Sequence, residues 1–320
     1  MECVTGWLRR GALACAAPII ARAARSYVAG PHRQDALGVA DALAGQGFRT
    51  TIGYWDGDGD DPRTVAAEYE AAVDALAKIG HDSYLSIKVP ALGGDAQRLI
   101  SLVARSRRQR IRIHFDSLDI NTADATWAAV DVAARGSELV VSASLPARWR
   151  RSRDDAEHAI ATGIVPRIVK GQWADPGAPQ IDLRAGYLDL VDRLAGRAPF
   201  VAIATHDSEL ASEAMMRLRA AGSDVELELL YGLPPHPALD AAARFSVPVR
   251  FYVPYGRAYL PYCLREIVRH PRLLAGVLRN AARPARGRLS PISSTASAPP
   301  PGDRATDRHR SRRSSPTPTR

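Results

Sequence analysis

From residue 48 onward the chain repeats one unit: a short β-branched run, a polar turn and a helical pattern. The strand-like runs fall at 49–54, 84–89, 110–115, 138–144, 166–170, 200–204, 225–230 and 248–253. Helical patterns follow them near 64–79, 95–107, 123–135, 153–162, 183–196, 207–221, 236–244 and 257–269. Strands that alternate with helices pair in parallel through right-handed crossovers. Eight such units in a row predict closure into a (βα)8 barrel of the TIM type. An open doubly wound sheet would want a glycine-rich phosphate loop after its first strand. Tyr54-Trp55-Asp56-Gly57-Asp58-Gly59 is not such a loop.

The flanks differ from this body. Residues 281–320 hold nine Arg against Asp303 and Asp307, with seven Pro and seven Ser. So few large apolar side chains cannot offset the entropy of ordering, and the segment reads as a disordered basic tail. It carries seven of the nine net positive charges of the 320-residue chain, so the body is nearly neutral. That distribution argues against a specific nucleic-acid partner and makes the basic pI of about 9.8 a property of the tail. Residues 1–26 read as an amphipathic helical segment anchored by Leu8, Leu13, Ile19 and Ile20. A cleaved signal is the weaker reading, because Pro18 interrupts the alanine-rich stretch and Arg22 and Arg25 follow it. The expected organisation is therefore a helical segment over 1–26, a barrel over 27–280 and a tail over 281–320.

Several chemistries lack their residues. Cys3, Cys15 and Cys263 form no CxxC pair, and neither an HxH pair on the first strand nor an HExxH occurs, so no metal site is expected. The acidic loop Asp56–Asp61 lacks the glycine at position six of a calcium loop. No apolar run is long enough for a membrane-spanning helix.

In a barrel, chemistry gathers at the carboxyl ends of the strands. Those ends carry Trp55 and Asp56, Lys88, His114 and Asp116, Ser142 and Ser144, Arg167 and Lys170, Thr205-His206-Asp207, Tyr231, and Tyr252 with Tyr255. Lys88 and Lys170 are the informative pair, since a lysine in a strand buried on both faces is costly unless an anion lies nearby. One such lysine would suit a Schiff-base aldolase. Two of them with Arg167 and Arg265 suit a pocket for an extended anion, such as a phosphate-bearing cofactor with a carboxylate substrate.

The strings Arg167-Ile168-Val169-Lys170-Gly171, Ile203-Ala204-Thr205-His206-Asp207, Leu229-Leu230-Tyr231-Gly232 and Val249-Arg250-Phe251-Tyr252-Val253-Pro254-Tyr255-Gly256 resemble the proline dehydrogenase family in order and separation. Tyr27-Val28-Ala29-Gly30, Ser86-Ile87-Lys88 and Tyr262-Cys263-Leu264-Arg265 extend the resemblance over roughly residues 27–275. It implies a barrel that binds FAD at its mouth and oxidises L-proline, or a close cyclic imino acid, to Δ1-pyrroline-5-carboxylate, with hydride passing to flavin N5. By motif match, Arg167, Val169, Lys170, Gly171 and Trp173 would lie along the flavin and its phosphates, and Thr205 and His206 at the adenosine end. Lys88 and Arg265 would pair with the substrate carboxylate, while Leu230, Tyr252 and Tyr262 would shape the pocket. The reduced cofactor would pass electrons to a quinone or another acceptor. The expected location is cytoplasmic, with peripheral membrane contact through the basic tail.

The chain also departs from the family pattern. His114 and Ser142 stand where the family has an acidic residue and a glutamine near the flavin, and Pro31 stands where an acidic residue is expected. On the last helix two adjacent arginines and a later glutamate become Arg265, Glu266 and Arg269. The chain thus reads as a divergent member, and the alternative is a flavin-binding barrel that has lost proline oxidation and serves in binding or regulation.

Overall fold

The computed structural model describes residues 28–57, 59–136 and 139–256. The expected 1–26 segment, the last helix with Tyr262 and Arg265, and the tail lie outside the described residues. Eight parallel strands close into a barrel in sequence order: β1 (Arg49–Tyr54), β2 (Ser83–Ile87), β3 (Ile113–Phe115), β4 (Val141–Pro146), β5 (Val165–Val169), β6 (Phe200–Ala204), β7 (Asp224–Leu230) and β8 (Val249–Tyr255). Closure is direct, with Thr51 of β1 opposite Tyr252 of β8 and Gly53 opposite Pro254.

The helices are α1 (Arg33–Ala44), α2 (Pro62–Ile79), α3 (Ala96–Gln109), α4 (Ala123–Ala134), α5 (Ser152–Thr162), α6 (Leu183–Leu194), α7 (Ser208–Ala220) and α8 (His236–Arg244). Four of them start on an aspartate that accepts backbone N–H groups of the first turn: Asp61, Asp95, Asp182 and Asp207. Each satisfies donors that the helix itself leaves unpaired, which sets where the chain turns back along the barrel. Gly80 and Gly163 end α2 and α5 in the left-handed conformation. Helix α1 precedes the first strand and is absent from the sequence expectation. The segment before it is tied to the barrel, since Ala29 N–H donates to the Pro254 carbonyl at 2.9 Å and Gly256 N–H to that of Gly30 at 3.0 Å.

Outward strand residues and inward helix faces make the apolar layer. Ile52, Leu85, Phe115, Leu145, Ile168, Ile203, Leu227 and Phe251 pack there with Tyr69, Leu102, Val130, Tyr187 and Leu218. Strand side chains alternate in direction, so the intervening residues fill the barrel itself. That interior is polar. At its amino-terminal end Arg250, fully buried, donates to Glu226 at 2.6 Å, to the Thr50 carbonyl at 2.6 Å and to Asp82 at 3.0 Å. Arg49 adds a bond to Glu226 at 2.8 Å, and the guanidiniums of Arg250 and Arg112 lie over the Tyr84 ring.

Candidate functional site

Above that layer, bonds between strands that are not neighbours run through the barrel. Arg167 on β5 donates Nη1 to Glu228 of β7 and Nη2 to Asp116, just past β3, the latter at 2.6 Å. Tyr252 on β8 donates its phenol to the other Asp116 oxygen at 2.9 Å, and the guanidinium lies 5.5 Å from the Tyr252 ring centre. Glu228 also accepts from Tyr84 at 3.2 Å and from Thr51 at 3.4 Å. Arg167, Tyr252, Asp116 and Glu228 thus form one lattice across the upper half of the barrel. Its carboxylates hold the Arg167 pKa above the ordinary guanidinium value against the opposing effect of burial. Burial, then the Asp116 charge, push the Tyr252 phenol well above the ordinary tyrosine value. One donor is left over: Arg167 Nε is buried and has no hydrogen-bond partner.

His114 sits inside the barrel, fully buried, with Nδ1 2.8 Å from Ser142 Oγ and Nε2 2.9 Å from Ser144 Oγ. Burial first, and then the positive charges of Arg167 and Arg250, hold it well below the usual histidine value, so it is neutral. The carboxylate nearest the mouth on this side is Asp116, two residues on, which takes the phenol of Tyr252.

Lys88 stands one residue past β2, where its amide donates to the Tyr69 hydroxyl at 3.1 Å. Its Nζ is already held, by Asp56 Oδ1 at 2.8 Å and the Tyr54 carbonyl at 3.2 Å. Lys170, just past β5, is different. Its side chain is 40% exposed, and Asp207 is 3.9 Å away. The expectation of two buried lysines therefore fits Lys88 and not Lys170, because β5 ends at Val169 and the lysine projects into the rim.

The rim beside Lys170 is built from tight turns. Gly171 has φ of +82°, and a Cβ there would lie 2.9 Å from that of Pro146, so the backbone runs close and open. Trp173 gives its carbonyl to the Trp149 indole at 2.9 Å. Thr205 Oγ1 accepts the Asp207 N–H, which in turn caps α7. His206 Nε2 accepts the Leu230 N–H at 2.8 Å, leaving Nδ1 as the protonated nitrogen, 3.3 Å from the Pro234 carbonyl. Burial lowers its pKa, so the ring is a neutral staple between the ends of β6 and β7. Both nitrogens are committed, and Leu230 is fixed by them at the half-buried end of β7.

The structure therefore brings Lys88, His114, Arg167 and Tyr252 into the upper barrel, while Ser142, bonded to His114, lies near the start of β4 beside Val165 and Glu226. Val169, Lys170, Gly171, Trp173, Thr205, His206 and Leu230 stand along the adjoining ends of β5, β6 and β7. Glu228 escaped the sequence reading. The same signal that singled out Lys88, a charge inside an apolar strand, was present in Val225-Glu226-Leu227-Glu228-Leu229.

No family model matches the chain. Proline dehydrogenase 1 of Bacillus subtilis subsp. natto is 25% identical over 274 residues, which cover 80% of this chain and 89% of that protein. The proline dehydrogenase of Deinococcus radiodurans is 25% identical over 278 residues, with the same coverage. The chain is thus similar to proline dehydrogenases over about four fifths of its length. Among solved structures, proline utilization A from Bdellovibrio bacteriovorus, inactivated by N-propargylglycine, matches with a TM-score of 0.66 at 16% identity over 77% of this chain. Proline utilization A from Corynebacterium freiburgense matches with a TM-score of 0.61 at 18% identity over 83% of this chain. These two likenesses show the shared barrel, and the chain spans about a third of each of those longer proteins (32% and 34%). Against the proline dehydrogenases it covers nearly the whole length.

Proposed function

We propose that this chain is an FAD-dependent oxidoreductase that oxidises L-proline, or a close cyclic imino acid, to Δ1-pyrroline-5-carboxylate in proline catabolism. The observation that carries the reading is the similarity to proline dehydrogenases over four fifths of the chain. The donor set fits the cofactor. Arg167 Nε is a buried donor without an acceptor, and Gly171 leaves the backbone open beside a half-exposed Lys170. Arg167, Val169, Lys170, Gly171 and Trp173 would line the flavin and its phosphates. Thr205 and His206 would lie by the adenosine, and His114 and Ser142 behind the ring.

The flavin, when bound, supplies the hydride acceptor: the C–H bond of the ring carbon beside the amine breaks, the amine gives up a proton, and a C=N bond forms. The chain's residues do the positioning. Lys88 and Arg265 fix the substrate carboxylate, which leaves the ring one orientation, and Leu230, Tyr252 and Tyr262 exclude water around it. A quinone or another acceptor would take up the two electrons. Residues 281–320 favour contact with an anionic membrane surface where such an acceptor resides. Among the described residues no helix is long and apolar enough to cross a membrane.

One observation favours a second reading, a flavin-binding barrel without proline oxidation. Lys88 is already paired with Asp56 at 2.8 Å, so a substrate carboxylate competes with a neighbouring one for its charge. Stoichiometric FAD that no imino acid reduces would select this reading. Flavin that is reduced by proline under anaerobic conditions selects the first.

A further inference from the structure

The upper barrel holds an acidic side chain that the chemistry above does not use. Glu228 is 3% exposed, and its carboxylate is shared by Arg167, Tyr84 and Thr51 from three other strands. Arg167 has Nη1 on Glu228 and Nη2 on Asp116, so two carboxylates hold the plane of the guanidinium and leave Nε as its spare donor. Burial raises the Glu228 carboxyl above its ordinary value, and the charges of Arg167 and Arg250 oppose that rise. Paired with Arg167 beside Asp116, Glu228 offsets positive charge that the guanidinium would otherwise present to an electron-rich neighbour.

We infer that Glu228 is a positioning residue that fixes Arg167 and lowers the reduction potential of the flavin at the barrel mouth. This rests on the flavin reading above. Two-electron reduction adds negative charge to the flavin ring, and a nearby buried anion in low dielectric opposes it. Removing that anion therefore makes reduction easier. Glu226, two residues earlier on the same strand, supplies the control. It is equally buried but pairs with Arg250 and Arg49, about 7 Å further from the mouth by strand rise.

The test is the midpoint potential of the FAD-loaded full chain, equilibrated anaerobically with reference dyes. Glu228→Gln keeps the shape and is expected to favour reduction about tenfold, a rise of about 30 mV for a two-electron couple. Glu226→Gln is expected to move the equilibrium less than about twofold. Tyr84→Phe keeps the ring that sits under Arg250 and Arg112 but removes one donor to Glu228. The carboxyl then protonates more readily, so the potential is expected to rise in the same direction, about threefold, and this variant serves if Glu228→Gln does not fold. An unchanged potential in Glu228→Gln would mean that the carboxyl is already protonated and would overturn the inference. So would equal shifts from Glu226→Gln, or a potential in Tyr84→Phe that stays put or falls. A wild-type chain that takes up no FAD overturns the flavin reading itself, and the inference with it.

Discussion

At the scale of single residues the site is a set of cations that already have partners. Lys88 is the clearest: its ammonium is 15% exposed and paired with Asp56. Under the proposed function Lys88→Ala raises KM for proline at least tenfold, because a charge-assisted contact to the carboxylate is lost. Asp56→Asn acts the other way, lowering KM about threefold with kcat little changed, since a competing anion is removed. Steady-state kinetics on the two variants decide this, and a KM unmoved by either sinks the role of Lys88. His114 makes a prediction about stability. Its pKa is depressed in the folded chain, so the unfolded chain binds the proton more readily. Its contribution is complete above pH 6.5 and is lost as pH falls from there toward the folded value, at up to about 1.4 kcal/mol per pH unit. Urea unfolding at pH 7.5 and 5.5 will show a larger loss in the wild type than in His114→Gln. Equal losses would mean that the imidazole is not held neutral.

Elements explain which of these residues the sequence revealed. The eight strands were readable because each presents β-branched or leucine side chains to the helices, and the aspartates that start α2, α3, α6 and α7 mark where each unit turns. Their ends differ from expectation by up to three residues, and a shift of one at β5 is enough to move Lys170 from a buried strand to an open rim. Helix α1 went unseen because Arg33–Ala44 buries mainly small side chains, Ala36 and Ala40 beside Leu43, and lies before the repeat that begins at residue 48. The Glu228–Arg167 pair was out of reach for another reason. The two residues lie 61 positions apart, and only the stagger of a closed barrel brings them together. Two substitutions separate site from scaffold. At Gly53 any Cβ would run into the phenol of Tyr252, so Gly53→Ala costs about 1–3 kcal/mol and displaces Tyr252 from Asp116. Asp182→Ala removes only the cap of α6 and costs about 1 kcal/mol. Denaturant midpoints measure both costs. FAD titration should then show weaker binding in Gly53→Ala alone.

For the whole molecule, a barrel with an apolar shell and a charged interior is an unusual investment. Buried ion pairs are no cheaper than well-packed apolar residues, yet breaking one costs about 3–5 kcal/mol. The lower layer around Arg250 has the features of a structural lattice, since Arg49, Arg112 and Arg250 each have a carboxylate partner in Asp82 or Glu226. The upper layer leaves Arg167 Nε without a partner, so the two layers differ along the barrel axis. The basic tail belongs to this scale too. Removing residues 281–320 should leave the thermal midpoint unchanged and reduce binding to anionic vesicles at low salt. Unaltered vesicle binding would assign the tail no part in membrane contact. The decisive measurement is an anaerobic titration of the full-length chain, incubated with FAD, against L-proline while the flavin absorbance is followed. The protein should emerge yellow and lose that colour in proportion to added proline. A chain that stays colourless after incubation, or a bound flavin that neither proline nor any cyclic imino acid bleaches, would contradict the proposed function.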